Sequence, residues 1–218
     1  MLPLRDSIPS RHFPVMSVLL IVVNLYIFYY ESQLGAGIEE LIYRLGLVPS
    51  HYSNYQVSNY YPFLTSMFLH GSWMHVIGNM WILWLFGDNV EDRMGRVRFI
   101  LFYLICGLAA GLTHLAVNPT STLPVVGASG AVAGVMGAYF LMFHHAKVLT
   151  LIPPFFLINI PAWIYLGFWV ISQLWCGAIG LFAASSCGQI AFWAHIGGFI
   201  TGMLGYRFFL RSGYKLSH

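Results

Sequence analysis

Six long apolar segments are the feature of this sequence that most constrains its fold. A helix needs about 20 mainly apolar residues to cross about 30 Å of hydrocarbon. The segments that meet this requirement lie near residues 14–32, 68–87, 98–117, 125–143, 161–183 and 190–210. Only 8% of the residues are charged, whereas soluble domains carry about 25%. The sequence therefore predicts an all-α membrane protein of six transmembrane helices, with residues 1–218 forming one integral-membrane domain.

The distribution of lysine and arginine predicts how these helices are oriented. With the N-terminus in the cytoplasm, Arg44 is the one basic residue outside, and nine lie inside: Arg5, Arg11, Arg93, Arg96, Arg98, Lys147, Arg207, Arg211 and Lys215. Cytoplasmic loops carry the excess of positive charge. We therefore expect both termini in the cytoplasm and a multi-pass protein of the cell (inner) membrane.

The first linker, roughly 33–67, contains the segment IEELIYRLGL. Its apolar residues Ile38, Leu41, Ile42 and Leu45 recur at helical spacing. This pattern predicts a short amphipathic helix that lies in the membrane interface.

Polar side chains inside the spans are candidates for function, because placing them in hydrocarbon is costly. The second span carries His75 and Asn79, the fourth carries Ser129 and the sixth carries His195. At 1.5 Å of rise per residue, these groups lie on the order of 6–16 Å below the outer ends of their helices. Three helices that are not adjacent in the sequence therefore bring polar groups to one layer.

Glycines indicate how two of these helices pack. Gly130 and Gly134 form a small-xxx-small pair in the fourth span, and Gly198 and Gly202 form another in the sixth. Such pairs let two helix backbones approach closely. Packing of the fourth span against the sixth would bring the serine hydroxyl within reach of the histidine imidazole.

These residue types fit nucleophilic catalysis by serine. His195 can act as the base that takes the proton of the Ser129 hydroxyl. His75, Asn79 and the backbone N–H of Ser129, near the start of its helix, can donate to an oxyanion. The sequence predicts a Ser-His dyad, because Glu31 and all other acidic residues are expected at the ends of spans or in linkers.

Other chemistries find no support. The sequence lacks the HExxH zinc motif, and its net charge of +3 includes no basic run. We expect no metal, no cofactor and no nucleic-acid partner. The three cysteines, Cys106, Cys176 and Cys187, show neither metal-ligand spacing nor a disulfide framework, so we expect small core or lipid-facing residues there.

Four motifs match those of a known family in the same order along the chain. They are FLHGSWMHVIGNM (68–80), EDRMG (91–95), VGASGAVAGVMGAY (126–139) and WAHIGG (193–198). Together they resemble the rhomboid intramembrane serine proteases, particularly the bacterial six-helix members. GASG alone would be a weak signal, but its combination with HxxxN and AHIGG is specific. The resemblance covers most of the chain, from about residue 60 to residue 205.

The resemblance implies roles for the residues at the matching positions. Ser129 would be the nucleophile and His195 the general base, while His75, Asn79 and the Ser129 amide would form the oxyanion hole. Three glycines would shape the site: Gly127 and Gly130 around the serine, and Gly198 at the close helix contact.

The resemblance also implies a substrate and an access route. Substrates would be single-span membrane proteins, cut near the outer end of a helix that contains helix-breaking residues. The site would open to the extracytoplasmic side, under a mobile cap formed by the linker near 184–189. One departure is Tyr61-Pro62, where many members of the family carry Trp-Arg, and this puts the anchoring of the first linker in doubt.

Two alternatives belong to other functional classes. A catalytically inactive rhomboid-like protein would bind membrane-protein clients without cutting them, but such relatives usually lack the serine or the histidine. A small transporter would favour inverted repeats and charged residues at the midplane of the membrane, and the sequence shows neither.

Overall fold

The computed structural model of the chain describes residues 1–53, 59–180 and 190–211. These ranges contain eight α-helices and three β-strands. The helices are α1 (Val15–Gln33), α2 (Ile38–Leu45), α3 (Pro62–Thr65), α4 (Trp73–Met94), α5 (Arg96–Val117), α6 (Ser129–Met142), α7 (Ala162–Gly180) and α8 (Phe192–Phe209). The strands are β1 (Leu2–Asp6), β2 (Lys147–Ile152) and β3 (Phe156–Pro161). The linker near 184–189 lies outside the described residues.

Three of the described helices are long and apolar enough to cross a membrane: α1, α5 and α7. Helix α6 is equally apolar but has only 14 residues, which corresponds to about 21 Å of helix. Its sequence predicted a span over 125–143, but regular helix begins only at Ser129. The short amphipathic helix predicted in the first linker is present as α2, and its position in the membrane interface stays a prediction.

Helix α4 extends further than the apolar segment from which it was predicted. It begins after Ser72, whose hydroxyl accepts a hydrogen bond from the backbone N–H of His75. It continues through the charged stretch DNVEDRM and ends at Gly95, which has a φ of 79°. Glycine adopts positive φ without steric cost, so the helix ends at this residue. The earlier change from apolar to charged residues does not end it.

A three-stranded antiparallel sheet is an exception to the predicted all-α fold. Strand β2 lies between β1 and β3, and Leu2 pairs with Leu151 while Lys147 pairs with Pro161. Strands β2 and β3 form a hairpin between α6 and α7. The strands KVLTLI and FLINIP are rich in branched apolar residues, which favour β-strands. In so short a run, however, the sequence pattern does not distinguish a strand from a segment of buried helix.

Glu91 joins the first two long helices. Its carboxylate accepts hydrogen bonds from the backbone N–H groups of Met16 (3.0 Å) and Ser17 (2.8 Å). These groups lie in the first turn of α1, where the helix itself offers no acceptors. A buried acid on α4 therefore caps α1 and sets the position of one helix against the other.

The cysteines do not share one role. Cys106 on α5 is buried and free, as a packing residue would be. Cys176, in the last turns of α7, is disulfide-bonded, so the expectation of a core or lipid-facing cysteine outside any disulfide was wrong for it. Disulfide formation depends on the spatial distance between two sulfurs, and sequence spacing alone does not reveal that distance. Cys187 lies outside the described residues.

Asp6 holds the sheet against the helices. Its carboxylate accepts hydrogen bonds from the Tyr139 hydroxyl on α6 and from the Asn89 amide on α4. The pKa of Asp6 is raised to about 6, mainly by burial; the hydrogen bond from Tyr139 opposes this rise, and the nearby charge of Asp88 adds to it. Protonation of Asp6 therefore occurs more readily in the folded protein than in an unfolded chain.

We expect the docking of β1 to be tighter at pH 5 than at pH 8. Because the folded pKa is raised, the stabilisation is complete below the unfolded value near 3.8 and is lost as pH rises through about 6. Hydrogen exchange of the β1 and β2 amides, corrected for intrinsic rates, measures this. The variant Asp6→Asn keeps the acceptor oxygen and should remove the pH dependence, and persistence of the difference in that variant would assign it to another group.

Candidate active site

Ser129 is the first residue of α6, rather than a residue four positions inside a longer helix. Gly127, two positions earlier, has a φ of 125°, which interrupts the helix before the serine. The first N–H groups of a helix have no acceptor within it. The backbone N–H of Ser129 is therefore available for a ligand at this helix start.

Gly127 also permits a close approach to α4. A Cβ at this position would lie 2.7 Å from Cε1 and Nε2 of the His75 ring. Its backbone N–H donates to the carbonyl of Ser66 at 2.8 Å. Both the positive φ and the limited space therefore require glycine directly before the serine.

The structure brings Ser129 and His195 together. The Oγ atom of Ser129 lies 2.7 Å from Nε2 of His195, although the two residues are 66 positions apart in the chain. Ser129 begins α6 and His195 lies in the first turn of α8. Both side chains are partly exposed. At the 2.7 Å separation of Oγ and Nε2, an imidazole can take the proton of a hydroxyl.

Glycines on α6 and α8 allow this contact. A Cβ at Gly198 would lie 2.0 Å from the carbonyl oxygen of Gly130, and one at Gly202 would lie 1.9 Å from that of Gly134. No real Cβ approaches an oxygen so closely, so the two backbones touch along this seam. The seam sets the separation of the two helices and thereby the distance between hydroxyl and imidazole.

His75 and Asn79 lie one turn apart on α4 and face the loop before Ser129. Asn79 is buried, with 9% of its surface exposed, and its Nδ2 donor has no hydrogen-bond partner among the described residues. That nitrogen lies 3.6 Å from where a Cβ of Gly127 would be. An unpaired buried donor is costly, and its direction toward the serine loop suits it to a bound oxyanion.

Three residues of α7 extend the site beyond the four polar residues predicted from the sequence. Nδ1 of His195 lies 2.7 Å from Oε1 of Gln173. The Gln173 amide and the Ser172 hydroxyl are also hydrogen-bonded to each other, and the ring of Trp169 lies 5.8 Å from that of His195. The signal for Gln173 was an amide inside an apolar span, the same signal that singled out His75 and Asn79.

Comparison with known proteins identifies the family. The family model described as "Rhomboid domain" matches residues 57–212, which is more than half of the chain. The chain belongs to the rhomboid family. This range includes α4 to α8 and every polar residue of the site described above.

Curated rhomboid relatives are similar over part of their length. The chain is 32% identical over 143 residues to "Rhomboid protein 1, mitochondrial" of Saccharomyces cerevisiae, covering 64% of this chain and 39% of the relative. It is also 32% identical over 109 residues to "Rhomboid-like protein 11, chloroplastic" of Arabidopsis thaliana, covering 50% and 39%. The chain thus spans about two fifths of the length of these two relatives.

The first linker of this rhomboid is held by its backbone, although Tyr61-Pro62 replaces Trp-Arg. Leu47 and Val125 exchange two backbone hydrogen bonds, of 3.0 and 2.8 Å. The hydroxyl of Thr65 donates to the carbonyl of Leu45 at 2.6 Å. Pro62 begins α3, where its missing N–H costs nothing. The Leu47–Val125 bonds join the linker to the segment that leads into Ser129, and the Thr65 bond holds two parts of the linker together.

A buried pair lies behind the serine loop of this rhomboid. Nε2 of His70 accepts a hydrogen bond from the backbone N–H of Ala128 at 3.5 Å. The backbone N–H of His70 donates to Glu31 at 3.2 Å. Glu31 lies in the last turn of α1, at a helix end as predicted, but it is fully buried. Among the described residues, the ring nitrogens of His195 are hydrogen-bonded to Gln173 and Ser129, and Glu31 forms no third member of a Ser-His-acid triad.

The described part of the chain contains no group of three His, Cys, Asp or Glu side chains that could hold a metal ion. The polar groups of the site are instead a hydroxyl, two imidazoles and two amides: those of Ser129, His75, His195, Asn79 and Gln173. This set is chemically complete for acyl transfer, which needs a nucleophile, a base and hydrogen-bond donors.

Proposed function

We propose that this rhomboid is an intramembrane serine endopeptidase that cuts transmembrane segments of membrane proteins near the outer membrane boundary. The observation that carries the proposal is the 2.7 Å contact between Ser129 Oγ and His195 Nε2. Both groups come from otherwise apolar helices, where isolated polar side chains are rare unless they serve function.

The reaction follows the usual course of serine acyl transfer. His195 takes the proton of Ser129 at Nε2 while Oγ attacks the carbonyl carbon of the scissile bond. The oxyanion that forms accepts hydrogen bonds from the Ser129 backbone N–H, Asn79 and His75. Protonated His195 then gives its proton to the leaving amine, which breaks the C–N bond and leaves an acyl-enzyme. A water molecule, deprotonated by His195, releases the new carboxyl end and restores Ser129.

The proposed setting is a six-span domain with both termini in the cytoplasm and the site open to the opposite side. The nine-to-one distribution of basic residues supports this orientation. The disulfide-bonded Cys176 supports it independently, because it lies one turn from Gln173 at the same end of the bundle. Disulfides persist in oxidising compartments and are rare in the cytosol. We propose the cell (inner) membrane as the location.

The proposed substrates are single-span membrane proteins within the same lipid bilayer. A helix hides its peptide carbonyls in its own hydrogen bonds, so a substrate must unwind before Ser129 can attack. Glycine or proline in the outer half of the substrate helix lowers the cost of this unwinding. No cofactor or metal is required in this scheme, because the base and the oxyanion donors are side chains and backbone of the chain itself.

The test is to incubate the purified protein with single-span substrates that carry Gly or Pro in the outer half of the helix. Mass spectrometry maps the cut, and a fluorophosphonate probe reports covalent labelling of Ser129. Cleavage near the outer boundary, absent in Ser129→Ala, supports the proposal. Binding of intact substrate without any cleavage would favour the inactive, client-binding alternative.

Asn79→Ala should lower kcat by about 10²–10³-fold with little change in KM, because the lost donor acts only on the oxyanion. Steady-state cleavage of a model substrate measures this. Asn159→Ala, on the exposed strand β3, is the matched control and should leave kcat unchanged. A wild-type rate in Asn79→Ala would leave Asn79 a structural residue of α4.

A further inference from the structure

A chain of hydrogen bonds runs from the proposed nucleophile into α7. Ser129 Oγ contacts His195 Nε2 at 2.7 Å, and His195 Nδ1 contacts Gln173 Oε1 at 2.7 Å. Gln173 Nε2 donates to the Ser172 hydroxyl at 3.2 Å, and that hydroxyl donates to the carbonyl of Trp169 at 2.6 Å. The four bonds involve five residues of three helices. The proton of each side chain–side chain bond could come from either partner, whereas the bond to the Trp169 carbonyl has one direction.

The carbonyl of Trp169 sets the direction of the chain. A carbonyl oxygen can only accept, so the single proton of the Ser172 hydroxyl points to it. The remaining contact of Ser172 must then accept, which requires the NH₂ group of Gln173 on that side. The carbonyl oxygen of the Gln173 amide therefore faces His195.

The orientation of Gln173 in turn determines the tautomer of His195. An amide oxygen can only accept, so Nδ1 of His195 carries a proton. In a neutral imidazole, Nε2 is then without a proton and accepts from the Ser129 hydroxyl. This is the tautomer that a general base needs, since the opposite one would direct an N–H at the serine oxygen.

We propose that Ser172 and Gln173 are positioning residues that hold His195 in its Nδ1–H tautomer, an inference that rests on the proposed function of Ser129 and His195. Gln173 takes the place that an aspartate has in a catalytic triad. It sets the tautomer but brings no negative charge, so its contribution to rate is smaller than that of a carboxylate.

Trp169 adds a restraint on the imidazole ring. It lies four residues before Gln173 on the same face of α7. Its ring is inclined by 31° to that of His195 and also packs against Phe199 of α8. Tautomer and ring orientation of His195 are thus both set by α7, a helix with few buried residues. Displacement of α7 would release both restraints together.

The sequence supplies its own matched control. Ser32 and Gln33, at the exposed end of α1, form the same pair of bonds: Gln33 Nε2 to Ser32 Oγ at 3.0 Å and Ser32 Oγ to the Tyr29 carbonyl at 2.7 Å. Within the described residues, no histidine donates a hydrogen bond to the amide oxygen of Gln33. Changes at this pair therefore remove the same local bonds without touching the site.

Cleavage kinetics form the first measurement. Gln173→Met keeps the shape but lacks a good acceptor, and we expect kcat to fall by about 10- to 100-fold with KM within about twofold. Gln173→Glu restores an acceptor and should remain within about tenfold of wild type. Ser172→Ala lets the amide turn over and should lower kcat by roughly three- to tenfold. Gln33→Met and Ser32→Ala should cleave at the wild-type rate.

Nitrogen-15 NMR of labelled histidine forms the second measurement and needs no activity. His195, identified by its loss in His195→Ala, should show a protonated Nδ1 and an unprotonated Nε2 in the wild type, and a tautomer mixture in Gln173→Met. A protonated Nε2 in the wild type overturns the inference. So does an unchanged kcat in Gln173→Met and Ser172→Ala.

The two measurements separate this inference from the proposed function. If the wild type cleaves but the α7 variants behave like the α1 controls, the positioning role fails and the protease remains. If the wild type does not cleave, the protease proposal fails, and the NMR tautomer alone decides whether α7 sets the state of His195. If Gln173→Met does not fold, Ser172→Ala and Gln173→Glu provide the kinetic comparison.

Discussion

Replacing Ser129 with alanine is expected to lower kcat by about 10⁴- to 10⁶-fold, because the atom that forms the acyl bond is removed. His195→Ala should cause a loss of the same order, since the hydroxyl is a weak nucleophile without a base 2.7 Å away. The two groups act as one unit, so the double variant should lose little more than either single variant. Single-turnover cleavage of a mapped substrate in detergent measures all three.

Stability serves as the control for this prediction. Alanine at the first position of α6 introduces no steric conflict, so the melting temperature of Ser129→Ala should stay close to that of the wild type. Ser32→Ala, at the exposed end of α1, removes a serine elsewhere and should keep full activity. Cleavage retained in either Ser129→Ala or His195→Ala, at the same peptide bond, would rule out the proposed dyad.

A large effect on the fold is expected from Gly198→Ala. Its Cβ would lie 2.0 Å from the carbonyl oxygen of Gly130, a backbone atom that cannot move without shifting α6. We expect the free energy of unfolding to fall by about 3 kcal/mol, as in strong overpacking. The same shift separates Ser129 from His195, and a displacement of about 1 Å at a reacting group costs about 10²-fold in rate.

Gly205→Ala, on the same helix, is the matched control for that prediction. A Cβ at Gly205 meets nothing within 4 Å, so the change should be neutral or slightly stabilising through helix propensity. Denaturant unfolding in detergent and cleavage assays on both variants measure the contrast. If Gly198→Ala matched Gly205→Ala in stability and in cleavage, the backbone contact between α6 and α8 would not exist in the working protein.

Much of the site could be predicted because membrane depth leaves few polar residues to consider. Ser129, His195, His75 and Asn79 each interrupt an apolar segment of the sequence, and their positions along these segments predict a common depth. The glycine pairs of α6 and α8 indicated which helices touch, and the structure brings them together along that seam. The catalytic roles of these residues remain predictions until cleavage is measured.

Other features escaped prediction because they depend on contacts between distant segments. The sheet forms only when the N-terminal strand meets a hairpin more than 140 residues later, with Leu2 opposite Leu151. Glu31 was expected at a helix end and lies there, but its burial against His70 follows from how α1 and the segment before α4 pack. The disulfide at Cys176 likewise depends on spatial proximity that sequence spacing does not encode.

The sequence by itself determined that the chain is a membrane protein of the rhomboid kind, with a serine and a histidine in otherwise apolar segments, because hydropathy and motif order are properties of the chain alone. Only the tertiary structure decided how that histidine is held. Gln173 lies 22 positions before His195, and nothing in their spacing links them. Their hydrogen bond exists because α7 packs beside α8 at one particular height and rotation, and that arrangement is a property of the whole bundle.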